Sequence, residues 1–237
     1  MIDPGIVATT RSIEARLVGQ LHLSPVSIDL SLASATGTFR EAPVNIETSA
    51  YRSDRIRLAR FSVVYGKTLQ IGNILCIPEP NYVVPILGAD LVSVRSDSMM
   101  IAADLSPVSS EPSMHKEQME ELARASAQCA PVPSGGELPD WAQQLFSPHA
   151  LYTRVAPSQA DTAYEALNVF PCTFVKLVNM AQPAPETATA IAAAQSHYAD
   201  VHRADDKGLR LLGAMFGMEW AERYLEEILF PASGEIV

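Results

Sequence analysis

Residues 52–108 read RSDRIRLARFSVVYGKTLQIGNILCIPEPNYVVPILGADLVSVRSDSMMIAADLSPV, and this stretch decides the fold class. Its apolar runs are separated by very short breaks, such as YGK at 65–67 and PEPN at 78–81. Connections this short join antiparallel strands, because parallel strands need a long crossover. The stretch therefore predicts an antiparallel meander. Its strands are expected over residues 44–52, 55–65, 69–77, 82–94 and 99–105.

Two polar residues interrupt the apolar faces of neighbouring strands in this meander. Alternate side chains of a strand share a face, so Asn73 is the one polar residue in the row formed by every second residue from 69 to 77. Asp90 is the one carboxylate in the corresponding row from 84 to 94. Such groups need partners when buried, and either a loop backbone or a polar ligand would supply them. Burial would raise the pKa of Asp90 and suit it to donate a proton.

The rest of the chain is predicted to be mainly helical. Apolar spacing and capping residues predict helices over residues 9–21, 113–128, 158–180, 184–204 and 218–229, with Ser113 as a cap and one last strand over 149–155. The segment 24–39 is ambiguous. Strands first and helices after, with one helix in front, is an α+β order. We expect one domain over residues 1–237, with helices on both sides of a central antiparallel sheet.

Composition excludes several classes of function. Of the 237 residues, 48% are hydrophobic and 19% charged, which is typical of a soluble globular domain. No segment has the ~18 uninterrupted apolar residues of a membrane span, and the N-terminus lacks a secretory pattern. Three widely separated cysteines indicate free thiols in a reducing compartment and predict a cytoplasmic protein. The absence of CxxC, HExxH and GxGxxG motifs predicts no bound metal, flavin or nicotinamide.

Charge is distributed unevenly along the chain. The net charge of −10 argues against nucleic acid as a partner, because phosphate binding needs a basic face. Between residues 52 and 67, however, the sequence has five cations and only one acid, Asp54. They are Arg52, Arg55, Arg57, Arg60 and Lys67. This group is either a docking surface for an acidic partner or an ordinary solvated strand face.

Further candidates for acid–base or ligand chemistry lie in the second half of the chain. Asp205, Asp206 and Lys207 follow an alanine-rich helix. Either the acids cap a helix start, or Asp206 serves as a second proton donor and Lys207 as a cation for an anionic ligand group. Arg154, at the end of the last predicted strand, is either solvated or a carboxylate ligand. The five histidines show no pairing with Cys or Ser, and surface or capping positions are expected for them.

Four blocks of sequence resemble the ferredoxin-dependent bilin reductases in the same order. They are residues 57–94, IAADLSPV at 101–108, LPDWAQQLFSP at 138–148, and ADDKGLRLLGAMFGMEWAERYLEEILFP at 204–231. The resemblance implies a monomeric three-layer α/β/α sandwich with the tetrapyrrole biliverdin IXα between the sheet and the C-terminal helices. It also implies no bound cofactor. Electrons would come singly from an external reduced ferredoxin, which would dock transiently on the basic group at 52–67.

Individual residues acquire expected roles from this resemblance. Asp90 stands at the family's proton-donating aspartate, and Asp206 falls where phycoerythrobilin-forming members place a second one. Lys207 and Arg154 would bind the bilin propionates. Asn73 replaces the histidine of phycocyanobilin-forming members. The resemblance therefore implies four-electron reduction to phycoerythrobilin through 15,16-dihydrobiliverdin. The alternatives are an enzyme that stops at 15,16-dihydrobiliverdin, one that makes phycocyanobilin, and a bilin carrier without turnover.

Overall fold

The computed structural model describes residues 5–94, 97–108 and 115–231. Within these residues the centre is a sheet in which every strand pairing is antiparallel. Its strands are β1 (Ser24–Val26), β2 (Ser34–Phe39), β3 (Ala42–Ser53), β4 (Ile56–Gly66), β5 (Leu69–Pro78), β6 (Ile86–Val94), β7 (Ser98–Ser106) and β8 (Leu151–Val155). The order is β1-β3-β4-β5-β6-β7-β8, with β2 also paired to β3. The predicted meander is confirmed.

Helices cover both faces of this sheet. They are α1 (Gly5–Gln20), α2 (Leu30–Ala33), α3 (Lys116–Ser126), α4 (Asp140–Leu145), α5 (Ala160–Met180), α6 (Ala188–Ala204), α7 (Asp206–Phe216) and α8 (Met218–Tyr224), with 3-10 turns at Pro157–Gln159 and Pro185–Thr187 and a π-helical turn at Leu225–Leu229. Helices α1, α3 and α5 pack on one face, and α6, α7 and α8 on the other. The predicted three-layer α/β/α sandwich is confirmed.

One face of the sheet forms the main hydrophobic core. Helix α5 places Leu167, Phe170 and Phe174 on a single stripe against this face, and all three are buried. Each such side chain contributes about 1.5–3 kcal/mol through burial. Helix α1 approaches β5 so closely that a Cβ at Gly72 would lie 2.1 Å from Thr10 Oγ1. Close packing on this face makes the sheet a rigid support for the side chains on its opposite face.

The opposite face carries two separate apolar clusters. Near one end, Leu75 and Ile77 pack with Tyr198 of α6. Near the other end, Leu69 packs in a cluster with Tyr224 of α8. The polar residues of β4, β5 and β6 lie between these clusters. The helical layer therefore covers both ends of this face and leaves a cleft over its polar middle.

Several boundaries differ from the sequence-based expectations. The strand expected from residue 82 begins at Ile86, because Pro85 has no N–H for a ladder and Tyr82 instead bridges to Pro183. The segment 206–216, for which the sequence predicts no helix, is the helix α7, whose apolar side packs on the sheet. The ambiguous segment 24–39 contains β1, α2 and β2. The expected cap Ser113 lies outside the described residues.

Candidate active site

The two polar residues singled out on neighbouring strands are direct partners. Antiparallel pairing of β5 with β6 sets Asn73 opposite Asp90, and their row continues through Ser62 on β4 and Ala102 on β7. Asn73 Nδ2 donates a hydrogen bond to Asp90 Oδ1. Among the described residues, Asn73 Oδ1 meets no donor. The pair therefore leaves one buried amide oxygen without a protein donor in the described parts of the chain.

A cleft lies above this pair, between the sheet and the C-terminal helices. It encloses about 800 Å³ when the space open to solvent at its mouth is counted. The sheet contributes Asn73, Asp90 and Gly88 to its floor, while α6 and the C-terminal segment contribute Tyr198 and Phe230 to its walls. Its mixture of apolar walls and a few polar groups suits a large conjugated ligand.

Asp90 is electrostatically suited to carry a proton in this cleft. Burial raises the pKa of its carboxyl above the ordinary value, because the ionised form loses hydration. The hydrogen bond from Asn73 and the positive charge of Arg60 act in the opposite direction and lower it. Desolvation is the largest of these effects. The carboxyl is thus a stronger candidate for an acid than a solvent-exposed aspartate would be.

Arg60 also lines this cleft, which the sequence did not predict. The side chain is 1% exposed, and its Nη1 donates to Ser62 Oγ at 3.1 Å. Ser62 Oγ in turn lies 2.8 Å from the Tyr224 hydroxyl. The prediction that Arg60 belongs to a docking surface is wrong, because β4 is a central strand with helices over both faces.

The other members of the predicted basic group do not form one surface. Arg52 and Lys67 are exposed, but Arg52 lies on β3 beside the start of β4 and Lys67 follows the end of β4, roughly 33 Å away at about 3.3 Å per residue. Arg55 donates to the carbonyl oxygens of Val178 and Ala181 and so anchors the end of α5. Arg57 is half-buried. The expectation of a continuous patch over 52–67 is therefore wrong.

Asp205 and Asp206 stand at the start of α7. Asp205, which precedes the helix, lines the cleft. The backbone of Asp206 begins α7, but its side chain lies outside what the structure describes, so its predicted role stays a prediction. Lys207 is exposed and lines an adjoining groove with Asp140 and Gln144, and this groove shares Trp141 and Asp205 with the cleft. The sequence prediction gave the proton-donor role to Asp206 and none to Asp205, because two adjacent aspartates at a helix start cannot be distinguished by pattern alone.

Arg154 lies on the edge strand β8, on the same side of the sheet as Asp90. Its cross-strand partner is Met100, and the next residue in that face, Tyr152, pairs with Ala102. Ala102 pairs with Asp90 and lines the cleft. The Arg154 side chain is exposed. It therefore stands outside the cleft floor, at a position open to a charged group on a bound ligand.

Aromatic side chains form one wall of the cleft, and His202 stands among them. Its ring centroid lies 4.4 Å from that of Tyr198, 4.6 Å from Trp141 and 4.8 Å from Phe230, on which it stacks. Burial lowers the pKa of His202 to about 4, and the charge of Arg60 contributes to the same shift. The expectation of a surface or capping histidine is wrong for His202. Its spacing of four residues from Tyr198 on α6 was the available signal.

The burial of His202 predicts a pH dependence of stability. The unfolded chain takes up a proton near pH 6.5, but folded His202 does so only near pH 4. The free energy of unfolding should therefore be lower at pH 4 than above 6.5, by up to about 3 kcal/mol from this group. Denaturant titrations from pH 4 to 7 test this, with His202→Phe flattening the profile. His197→Phe, at an exposed position of α6, is the control. Equal profiles for the wild type and His202→Phe would contradict the assignment.

Metal-binding clusters and membrane-spanning helices are both absent from the described residues. Across residues 5–94, 97–108 and 115–231, no group of three or more His, Cys, Asp or Glu side chains is arranged to hold a metal ion. In the same ranges, no helix is both long and apolar enough to cross a membrane. The polar and aromatic side chains that line the cleft carry carboxyl, amide, guanidinium, imidazole, phenol, indole and phenyl groups.

Known proteins are similar to this chain in sequence and in fold. The family model described as ferredoxin-dependent bilin reductase matches residues 10–231. A phycoerythrobilin:ferredoxin oxidoreductase of Prochlorococcus marinus is 29% identical in an alignment of 226 residues that covers 90% of this chain and 87% of that protein. A phycocyanobilin:ferredoxin oxidoreductase of Gloeobacter violaceus is 31% identical in an alignment of 216 residues that covers 89% of this chain and 83% of that protein.

A solved structure extends the likeness to three dimensions. Tomato phytochromobilin synthase in complex with biliverdin superposes with a TM-score of 0.81 at 18% sequence identity, covering 96% of this chain and 83% of that one. At this identity the superposition establishes a shared fold. The family match spans nearly the whole chain and includes the strands and helices that form the cleft. The chain therefore belongs to the ferredoxin-dependent bilin reductase family and is an oxidoreductase of that family.

Proposed function

We propose that this enzyme reduces biliverdin IXα to phycoerythrobilin through 15,16-dihydrobiliverdin, with four electrons from reduced ferredoxin and four protons. The observation that carries the proposal is the Asn73–Asp90 pair on the floor of the cleft. Relatives of both the phycoerythrobilin and phycocyanobilin kinds match the chain at similar identity. The choice of product therefore rests on Asn73, since an amide cannot act as a second acid beside Asp90.

Different side chains of the cleft are proposed to have different roles in the reaction. Ferredoxin delivers electrons singly, so each two-electron reduction passes through a radical that must be protonated at a chosen carbon. Asp90 supplies the proton, because burial keeps its carboxyl protonated to higher pH. Asn73 donates to Asp90 Oδ1 and thereby orients the carboxyl toward the cleft. The apolar walls limit the access of water to the radical.

The second reduction needs another source of protons. We assign it to the two aspartates at the start of α7, of which Asp205 lines the cleft and Asp206 is expected from the sequence. Arg154 and Lys207 are assigned to the propionate groups of the pigment, which remain at the solvent side. The exposed positions of both cations support this arrangement. A carboxylate on a flexible chain can reach either of them from the cleft mouth.

The number of electrons consumed separates the proposed reaction from two alternatives. A stoichiometric titration under anaerobic conditions would follow the oxidation of reduced ferredoxin as biliverdin is consumed. Four ferredoxins oxidised per biliverdin are expected. Two would indicate an enzyme that stops at 15,16-dihydrobiliverdin. No oxidation with the pigment bound would indicate a carrier, and would contradict the proposal.

Ferredoxin is proposed to dock transiently at the β3–β4 end of the sheet. Arg52 is the exposed cation there, and Arg55 and Arg57 stand close to it in sequence. Ferredoxins are acidic, and the net charge of −10 opposes their approach. A local positive group still governs the encounter within a Debye length of ~8–10 Å. The complex is therefore expected to be weak and sensitive to salt.

Arg52→Glu tests this docking assignment. Reversing one interfacial charge costs about 1 kcal/mol, so the KM for ferredoxin should rise about fivefold while kcat stays unchanged. Lys67→Glu is the matched control, because it makes the same change near the other end of β4. Steady-state kinetics at low and high salt measure both variants. Equal effects of the two substitutions would contradict docking at the Arg52 end.

A further inference from the structure

Arg60 is a buried cation that forms no ion pair with any carboxylate among the described residues. Its side chain is 1% exposed and lines the cleft. Among the described residues, Arg60 Nε has no hydrogen-bond acceptor, and no carboxylate lies within ion-pair distance of the guanidinium. A buried charge without a partner is costly. Arg60 is therefore a group that the folded protein maintains at the expense of stability.

Neutral hydroxyl groups orient this guanidinium. Arg60 Nη1 donates to Ser62 Oγ at 3.1 Å, and Ser62 Oγ lies 2.8 Å from the Tyr224 hydroxyl. That hydroxyl is also 2.6 Å from Thr48 Oγ1. The network draws on β3, β4 and α8, so it holds Arg60 from three elements. It fixes the direction of the side chain without neutralising its charge.

The position of Arg60 relative to Asp90 suits a single extended ligand. Arg60 pairs with Leu75, which pairs with Gly88, two residues before Asp90 on β6. The two residues share the cleft face of the sheet and lie two strands apart, or roughly 12 Å between Cα atoms. Both line the same cleft. A conjugated pigment seated over Asp90 therefore also extends over Arg60.

We propose that Arg60 is a further catalytic residue of bilin reduction, whose guanidinium contacts a lactam carbonyl oxygen of the bound tetrapyrrole and stabilises the charge that each arriving electron adds. The inference rests on the proposed function and names a second role within the same site. A lactam oxygen fits better than a propionate, because the floor of the cleft is remote from solvent. A propionate carboxylate would keep its hydration at the solvent side instead. A fixed cation in a water-poor site acts strongly on charge that develops beside it.

The step balances without any proton transfer by Arg60. Reduced ferredoxin loses one electron and the pigment gains it, which places negative charge on the conjugated carbonyl system. Asp90 then gives its carboxyl proton to a carbon of the pigment, a C–H bond forms, and solvent returns a proton to Asp90. Arg60 stays protonated throughout, as arginine does in proteins. Its charge lowers the energy of the anionic radical that exists between the two events.

The test compares the full-length protein and its variants with biliverdin bound. Arg60→Met removes the charge and keeps the length of the side chain, whereas Arg60→Lys keeps the charge and loses Nε–H. Arg16→Met is the control, because Arg16 lies on α1, beyond the other face of the sheet, and donates to Asn168. Spectroelectrochemistry measures the midpoint potential for the first electron on the bound pigment. Turnover with ferredoxin is measured in parallel.

Arg60→Met should shift the first-electron potential to more negative values and lower turnover by on the order of 100-fold. Arg60→Lys should keep most of the wild-type potential, and Arg16→Met should match the wild type in both measurements. If Arg60→Met does not fold, Arg60→Gln serves as the neutral variant. A neutral variant with wild-type potential and turnover would overturn the inference alone. Failure of the wild type to reduce biliverdin would instead overturn the proposed function.

Discussion

Asp90→Asn is expected to lower the rate of bilin reduction by about 10²–10⁴-fold, the contribution typical of a positioned acid. The substitution keeps the size and shape of the side chain, so the pigment should still bind. An amide cannot give up a proton as a carboxylic acid does. The first electron should therefore still arrive, and the pigment should accumulate as a one-electron radical. Absorbance and electron paramagnetic resonance under anaerobic conditions would detect it.

A second buried carboxyl provides the control for this substitution. Asp104 is fully buried and its pKa is also raised by burial, but its oxygens accept hydrogen bonds from Ser106 Oγ and from the backbone and hydroxyl of Ser147. Asp104→Asn should lower the free energy of unfolding and leave the rate per folded molecule unchanged. Full turnover of Asp90→Asn, with no radical, would refute the role given to Asp90.

The pH dependence of turnover follows from the same carboxyl. Burial raises the pKa of Asp90, so the protonated acid is present below that pKa and lost as the pH rises through it. The wild-type rate of the protonation step should fall over that interval, which lies above the ordinary range for aspartate. Single-turnover rates across a pH series measure this. The residual rate of Asp90→Asn should lack the same transition.

Gly37→Ala is expected to have the largest effect on stability. A Cβ at Gly37, on β2, would lie 2.0 Å from the backbone oxygen of Met215 and 2.7 Å from a ring carbon of Phe216. The last turn of α7 would have to move away from the sheet, since backbone cannot rotate out of the way. Overpacking of this kind costs about 1–3 kcal/mol and more when backbone must shift. Affinity for biliverdin should fall as well, because α7 places Leu209 in the cleft wall.

Gly19→Ala is the matched control for this change. Gly19 lies in α1 with open space where its Cβ would be, and alanine in a helix is more stable than glycine by about 0.5–1 kcal/mol. Urea denaturation and absorbance titration with biliverdin would compare both variants with the wild type. The control should be slightly more stable. A Gly37→Ala protein as stable as the wild type would contradict the close packing of β2 on α7.

The part of the site that is predictable from the sequence is the part set by strand alternation and short turns. A short connection between β5 and β6 leaves few possible registers, so Asn73 and Asp90 can be placed on adjacent apolar rows. Their direct pairing depends on the register itself. Alternation and turn length are local properties, which a sequence shows. Strands β3 to β8 and the two polar residues can therefore be predicted from the amino-acid sequence alone, whereas β1 and β2 lie in the ambiguous segment 24–39.

The remainder depends on contacts between distant segments. The sequence pattern places Arg60 in a basic surface, whereas β4 is flanked by β3 and β5 and covered by helices on both faces. A register shift between Ile56 and Leu58 also interrupts the regular alternation of side chains between Arg60 and the basic residues before it. Helix α7 contains Gly208 and Gly213, so its propensity is poor, and packing on the sheet stabilises it instead. Such tertiary effects leave no local signal.

The most direct test of the proposed function is the identity of the product. Biliverdin IXα would be incubated anaerobically with the enzyme, ferredoxin, a ferredoxin reductase and NADPH, and the bilins separated by chromatography. We expect phycoerythrobilin isomers, with 15,16-dihydrobiliverdin as a transient intermediate. Phycocyanobilin would contradict the role given to Asn73. Biliverdin recovered unchanged from a complex with the protein would contradict the reductase activity itself.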